Sequence, residues 1–542
     1  VVVPDRTIVP DPANRYEPFP LTEMQQAYWL GRRSDVELGN VGCYLYTEFD
    51  TSVVDVERAE QALNTLIRRH DMLRAVIGPD GLQRVLPEVP YYRFEVLDLR
   101  GRPAEAELER LRRELPQRLV DPDTWPLFDV RVTVLDDRVR LHTGFDLIAL
   151  DAASIFALRR EWGRLYDDPE AELPPVGLSF RDYVLEERAY RETEAWKASE
   201  AYWRERAATL PGGPELPLAR DPASTERPVF ERHRVLVPKD TAEALKRQAQ
   251  SRNLTLSTLL AAAYADTLAA WSRSAHFSLT VTSFNRPQHH PDIGALLGDF
   301  TSTILLEVDA TAPRFQDRAT ALARRLSEDL EHSAVGGVHV LREMNRQPGK
   351  GIRYVPVVFT SALGFRRPGS LDAEETDATG WDRLGTTVYN VSSTPQVWID
   401  HQISEEDGNL LCNWDTVVGL FPDGMVEAMV EAYGRLLHDL AEGSGWEHRV
   451  CDALPAAPRA TFRPVDDDGL LHQGFEEQAA REPDRVAVIA PDATLTYGQL
   501  DRAATHLAFS ISERLCGVEA ARDRLVAVGF PKGWRQIVAC MA

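Results

Sequence analysis

The chain has 542 residues, 44% hydrophobic and 27% charged, with 84 Asp and Glu against 61 Lys and Arg for a net charge of −23. That length is several times the roughly 150 residues of an average domain, so two to four folded units with buried cores are expected. A phosphate backbone would meet net negative surface, which argues against nucleic acid as a partner. Five cysteines (Cys43, Cys412, Cys451, Cys516 and Cys540) lie far apart with no Cys-x-x-Cys pair. Their spacing argues against a disulfide framework or a zinc site and for the reducing cytoplasm.

Residues Val1 to Pro12 carry no initiator Met and no basic, apolar signal segment, so no signal peptide is expected. The best apolar run, Leu254 to Ala265, is too short to span a bilayer and Asp266 follows it. A start in "VVVPDRTIVP" and a finish in "QIVACMA" lead us to expect a piece of a longer multidomain protein.

In chain order, Thr22 to Arg32 offers a Thr N-cap and a helical run stopped at Gly31. Asp55 to His70 repeats the signal, with Val56, Ala59, Leu63, Leu66 and Ile67 on one stripe. Two strands, "DVRVTVL" and "RVRLHTGFD", alternate with period two, join at Asp136-Asp137 and end at Asp146. Ala152 to Tyr166 and Ser179 to Ala208 read as helices, the second long and highly charged. The stretch "LPGGPELPLARDPAST" (Leu210 to Thr225) is rich in Pro and Gly and reads as a linker. Beyond it the order recurs: strand "HRVLV", helices Thr241 to Arg252 and Ser257 to Trp271, then strand "HFSLTVTSF". A second lobe built like the first is therefore expected. Its later strands are Tyr354 to Ser361, Pro395 to Gln402 and Asn409 to Asp415, closed by helix Pro422 to Glu442. Alternating strands and helices predict α/β layers. A further composition shift at Leu454 to Gly469 marks another linker before a new domain.

Several residues could carry chemistry. Asp146 ends a strand and Asp151 opens the next helix in "GFDLIALDAASI"; strand C-termini feeding helices are where open α/β sheets put their sites. Asp151 also suits a helix N-cap, and a buried carboxylate must find a partner or stay protonated. On "PQVWIDHQ", alternation places Gln396, Trp398, Asp400 and Gln402 on one face and Val397, Ile399 and His401 on the other. Such a face is either solvated or lines a water-filled channel, since Asp is disfavoured inside strands. Thr360 and Ser361 end an apolar strand and could project hydroxyls into the same channel. The pair His289-His290 lies among Pro, Asn and Gln, the marks of a surface loop. No Gly-x-Ser-x-Gly, His-Glu-x-x-His or Gly-x-x-x-x-Gly-Lys occurs, so serine hydrolases, metalloproteases and P-loop NTPases lack their key residues.

Seven segments together resemble one family, the heterocyclization domains of nonribosomal peptide synthetases, relatives of condensation domains. They are "FPLTEMQQAYWLGR", "RHDMLRA", "DLIALDAAS", "LPGGPELPL", "GDFTS", "VVFTS" and "TPQVWIDHQ", in family order over residues 16 to 450. Asp-x-x-x-x-Asp-x-x-Ser at Asp146, Asp151 and Ser154 stands where ordinary condensation domains carry His-His-x-x-x-Asp-Gly. Phe475 to Ala508 and Val526 to Ala542 resemble the opening of an adenylation domain, ending before its ATP loop.

The resemblance implies two chloramphenicol-acetyltransferase-like lobes in a V, enclosing a tunnel. The boundaries it implies are a leader at 1–15, an N-terminal lobe at 16–209, an inter-lobe linker at 210–228 and a C-terminal lobe at 229–453. A second linker at 454–469 and a partial adenylation domain at 470–542 follow. It also implies an enzyme that joins an upstream acyl thioester to a Cys, Ser or Thr thioester and then cyclodehydrates the amide to a thiazoline or oxazoline. The alternatives are a domain that only condenses and an inactive docking scaffold. Asp400 would shuttle protons in the second stage, held by Thr360, with Gln396 positioning the amide. Asp146, Ser154 and Ser361 would line the tunnel, as would Asp299, Thr301 and Trp398, while Asp151 would pair with Arg286. For the first stage no general base is apparent, and proximity would supply the rate. No metal, no bound cofactor and no ATP site are implied. The partners would be donor and acceptor carrier proteins bearing phosphopantetheine and the adjoining adenylation domain, with neither membrane nor nucleic acid.

Overall fold

Local capping chemistry sets the first helix. Thr22 Oγ accepts from Gln25 N at 3.1 Å while Gln25 Oε1 accepts from Thr22 N at 3.0 Å, a reciprocal cap that starts helix α1 (Glu23–Gly31). The computed structural model describes residues 7–51, 55–284, 286, 289–346, 352–363, 385–406, 408–447, 473–490, 493–514, 528–530 and 533–541. The chain divides into two compact units, Val1–Pro455 and Ala456–Ala542.

The first half of the larger unit contains strands β1 (Phe19–Pro20), β2 (Tyr44–Thr51), β3 (Ala75–Ile77), β4 (Leu82–Val85), β5 (Glu95–Asp98), β6 (Phe128–Val134) and β7 (Val139–Asp146). Its helices after α1 are α2 (Val56–Arg69), α3 (Glu105–Glu114), α4 (Ala152–Asp167), α5 (Phe180–Tyr190) and α6 (Glu194–Ala207). The single long helix expected over residues 179–208 is two, because Thr193 Oγ1 accepts from Trp196 N at 3.3 Å and starts a new helix.

The second half supplies β8 (Phe230–Val237), β9 (His276–Phe284), β10 (Thr301–Asp309), β11 (Val357–Ser361), β12 (Thr386–Ser393), β13 (Ile399–Glu406) and β14 (Asn409–Val417). Its helices are α7 (Lys239–Gln250), α8 (Leu256–Trp271), α9 (Phe315–Glu331), α10 (Gly337–Asn345) and α11 (Met425–Glu442).

Six of these strands form one sheet in the order β10-β9-β11-β13-β14-β8, and five form another in the order β12-β2-β7-β6-β5. The mixed α/β architecture is the expected class. One exchange crosses the halves: β12, late in the chain, pairs antiparallel with β2 from Thr386↔Asp50 to Ser393↔Tyr44 and completes the earlier sheet.

Each sheet buries one face under helices. Leu63, Leu66, Leu158 and Trp162 of α2 and α4 pack with Phe49, Leu141 and Phe145 of the five-stranded sheet. Tyr264 of α8 and Tyr433 of α11 pack with Phe359, Ile399 and Trp414 of the six-stranded one. Each fully buried Leu contributes about 1.5–3 kcal/mol. The smaller unit contains α12 (Gln473–Arg481), β15 (Val486–Ala490), β16 (Ala493–Thr496), α13 (Tyr497–Arg514) and α14 (Trp534–Met541), closed on Val488, Leu500 and Val538.

Candidate active site

Register across the six-stranded sheet lines up two polar rows. One is Thr280↔Val358↔Asp400↔Asp415↔Arg232, and the next is Thr282↔Thr360↔Gln402↔Asn413↔Arg234. Residues opposite one another, or two apart along a strand, share a face, so one side of the sheet is polar over five strands. The other side carries Phe359, Ile399, His401 and Trp414 into the apolar core. His401 lies against Tyr264, Trp414 and Tyr433, and burial lowers its pKa to about 3, so it is neutral and structural at pH 7.

Asp400 is 7% exposed and lies within a chain of hydrogen bonds. Gln402 Nε2 donates to Asp400 Oδ2 at 2.7 Å and lies 2.7 Å from Ser392 Oγ. Ser392 in turn donates through Oγ and N to Asp415 Oδ2, at 2.7 and 3.1 Å. Arg232 closes the chain, with Nε 2.6 Å from Asp415 Oδ1 and Nη2 3.0 Å from Gln402 Oε1. On the opposite flank the Thr360 hydroxyl lies 2.9 Å from Thr282 Oγ1 and 3.4 Å from Asp400 Oδ1. Burial, helped by the neighbouring Asp415 carboxylate, pushes the Asp400 pKa up to about 6 against the pull of Gln402, Arg232 and Thr360. A carboxyl in that range can take and return a proton near neutral pH.

Gln396 requires a correction. The strand begins at Ile399 rather than at Pro395, because Pro395 packs on α1 where a Cβ on Gly31 would stand 2.4 Å from the Pro395 Cβ. Gln396 then turns through φ +64° with its N–H donating to Leu38 O at 3.1 Å, and it is exposed. Gln396 is thus off the polar face from which it was expected to position the amide, and Gln402 is the amide side chain beside Asp400. Trp398, expected on the polar face, is also outside the strand and packs against the apolar core. Ser361 is at the end of β11 on the face opposite Thr360.

The Asp146, Asp151 and Ser154 motif is consumed by structure. Asp146 is 1% exposed, ion-paired with Arg32 just past the end of α1, and accepts from Ile148 N at 3.1 Å. Asp151 caps α4 by accepting from Ser154 N at 2.7 Å. Arg286 Nη2 stands 2.8 Å from Asp151 Oδ1 and 2.7 Å from Ser154 Oγ, with its guanidinium 4.2 Å from the centre of the Phe300 ring. Ser154 Oγ donates to Gly298 O at 2.8 Å, and Asp151 N donates to the same carbonyl at 3.0 Å. These bonds join the first half of the chain to the second. The expectation that Asp146 and Ser154 line a passage is corrected, since both are sealed among these partners.

Asp299 and Thr301 border a cavity of about 450 Å³ between α1, α5, the start of β10 and the start of α10. His289 borders it as well, and His290 Nδ1 accepts from Asp292 N at 3.1 Å as a local cap. Among the described residues no cluster of three or more side chains could hold a metal, and no helix is long and apolar enough to cross a membrane. Arg232, Ser392 and Asp415 were not singled out in the sequence. The alternation of Arg232 and Arg234 along β8 was the available signal for one of them, whereas Ser392 reaches the site only through the exchanged strand.

Residues 17–455 match the family described as Condensation domain. Pyochelin synthetase PchF of Pseudomonas aeruginosa is 35% identical over 536 residues, covering 98% of this chain and 29% of that protein. Phenyloxazoline synthase MbtB of Mycobacterium tuberculosis is 36% identical over 538 residues, 97% of this chain and 37% of that protein. The chain thus spans about a third of the length of these relatives. The crystal structure of the EpoB cyclization-docking bidomain from Sorangium cellulosum superposes with a TM-score of 0.74 at 37% identity, covering 82% of this chain and 88% of that one.

Proposed function

Given that the chain belongs to the condensation-domain family of nonribosomal peptide synthetases, we propose that it forms an amide between two carrier-bound thioesters and then closes it to a thiazoline or oxazoline. The donor is an acyl thioester and the acceptor a Cys, Ser or Thr thioester, each on the phosphopantetheine arm of a carrier protein in the cytoplasm. Residues 16–209 and 229–453 are the two chloramphenicol-acetyltransferase-like lobes, and 470–542 is the opening of an adenylation domain. Support comes from likeness to a phenyloxazoline synthase and a cyclization bidomain.

One observation carries the second stage: Asp400 is a buried carboxyl with amide and hydroxyl neighbours and a pKa raised to about 6. In cyclodehydration the side-chain thiol or hydroxyl adds to the amide carbonyl carbon and gives its proton to the Asp400 carboxylate. The protonated carboxyl delivers that proton to the former carbonyl oxygen to make a hydroxyl, then takes the hydrogen of the amide nitrogen and passes it to the same oxygen, so that the C–O bond breaks, water leaves and the C=N bond forms. Thr360 and Gln402 fix the carboxyl plane during these transfers. The test is product mass after incubation with both loaded carrier proteins. Loss of one water relative to the linear dipeptide is the expected result, the linear mass alone would mean condensation without cyclization, and no acyl transfer would mean a scaffold.

A further inference from the structure

The amide-forming stage has its own proton to place, because the acceptor's α-amine is an ammonium near neutral pH and attacks only once deprotonated. Asp400 is committed to its network. A second buried carboxyl is not. Asp299 is fully buried at the wall of the 450 Å³ cavity, with Oδ1 accepting from Thr301 N at 3.0 Å. Its Oδ2 has no hydrogen-bond partner among the described residues. A buried acceptor left unmatched is disfavoured and calls for an explanation, of which use by a ligand or a reaction is one.

The cavity is built from both halves of the chain, from Thr22, Met24 and Tyr183 on one side and Thr301 and Gly336 on the other. Resting on the reading above, we propose that Asp299 is the proton acceptor for the acceptor substrate's α-ammonium in amide formation. The ammonium gives one proton to the Asp299 carboxylate, and the free amine attacks the donor thioester carbonyl. The C–N bond forms, the C–S bond breaks, the second amine proton goes to the departing thiolate, and Asp299 returns its proton to water.

Burial above all, with the Asp151 charge, pushes Asp299 up to about 8, against the pull of Thr301 and Arg286. That matches an α-amino group of about 7.7–8.0, the condition for efficient proton transfer. The other groups around it are accounted for. Asp151 is paired with Arg286 at 2.8 Å, and Arg191 bridges Glu23 and Glu187 at 3.2 and 3.1 Å, with His339 3.8 Å from Glu23. Tyr28, Cys43 and Tyr183 are pushed up by burial and stay neutral. Glu186, His289 and Glu331 also border the cavity.

The experiment compares Asp299→Asn with wild type in two reactions: total dipeptide formed from both loaded carrier proteins, and cyclodehydration of a preformed linear dipeptidyl thioester. In wild type the first should rise with pH through about 8. The variant should lose that rise and about 10²–10⁴-fold of the rate, while the preformed substrate still cyclises, which also shows that the protein is folded. Wild-type amide formation in the variant, or an equal loss in both reactions, overturns the proposal. If Asp299→Asn is insoluble, Asp299→Glu serves, and a pH rise unmoved from wild type overturns the proposal equally. Wild type that never yields a cyclised product would instead sink the reading on which the proposal rests.

Discussion

Two pairs of buried aspartates in the same unit handle charge in opposite ways. Asp146 and Asp151 each face a guanidinium, Arg32 and Arg286, and each accepts a backbone N–H besides. Among the described residues Asp400 and Asp299 hydrogen-bond with amide, hydroxyl and N–H groups, and their pKa values rise to about 6 and about 8. Burial is common to all four, so the kind of partner separates them: the first two have a guanidinium within ion-pair distance, while Asp400 and Asp299 have neutral donors beside them and burial raises their pKa values. Of the first pair, Asp151 ties the first half of the chain to Arg286 of the second, while Asp146 stays with Arg32 inside the first half.

The sharpest way to break this comparison is Asp400→Asn. It keeps size and hydrogen bonding but cannot exchange a proton, so cyclodehydration should fall about 10²–10⁴-fold and the limb of its pH profile near 6 should vanish. Linear dipeptidyl thioester should then accumulate by mass spectrometry, and equal loss of both stages in a folded protein would refute the division of labour. On the structural side, Asp151→Ala or Arg286→Ala should each cost about 3–5 kcal/mol in denaturant unfolding, because a buried charge is stranded. The double variant should lose less than the sum, and strict additivity would mean that the pair carries no coupling.

Gln402→Leu sharpens the comparison from within the site. Its Nε2 stabilises the ionised Asp400, so its loss should move the cyclization limb upward from about 6 and slow the reaction at pH 7 about tenfold. An unmoved limb would show that the Asp415 and Arg232 chain does not reach Asp400 through Gln402. Gln396→Ala should have the smallest effect, leaving cyclization within about twofold and stability within about 0.5 kcal/mol, as for an exposed side chain away from the network. A large loss of cyclization there would restore it to the site.

Folding also has a pH signature. Asp299 and Asp400 bind protons more tightly when folded than the ordinary carboxyl at 3.8, so the folded state carries more protons between about pH 4 and 8. The stability these two carboxyls contribute therefore falls as pH rises through that window, while buried His142 and His401, lowered to about 3, contribute in the opposite sense below about 6.5.

The local signals in the sequence were strong enough to place helices capped by Thr22, Asp55 and Asp151, the strands ending at Asp146 and Ser361, and the α/β class, because caps and period-two alternation act over a few residues. Asp400 and Thr360 were legible because polar residues interrupt otherwise apolar strands. The sequence pattern could not show that Pro395 seats on Gly31, which delays the strand to Ile399, turns Gln396 to solvent and leaves Gln402 beside Asp400. Nor could it show Arg32 on Asp146, Ser392 arriving on a strand exchanged between halves, or Asp299 Oδ2 left without a partner among the described residues. Most of these depend on contacts between segments far apart in the chain, 114 positions for Arg32 and Asp146, and a side chain's partner is decided only when such segments pack.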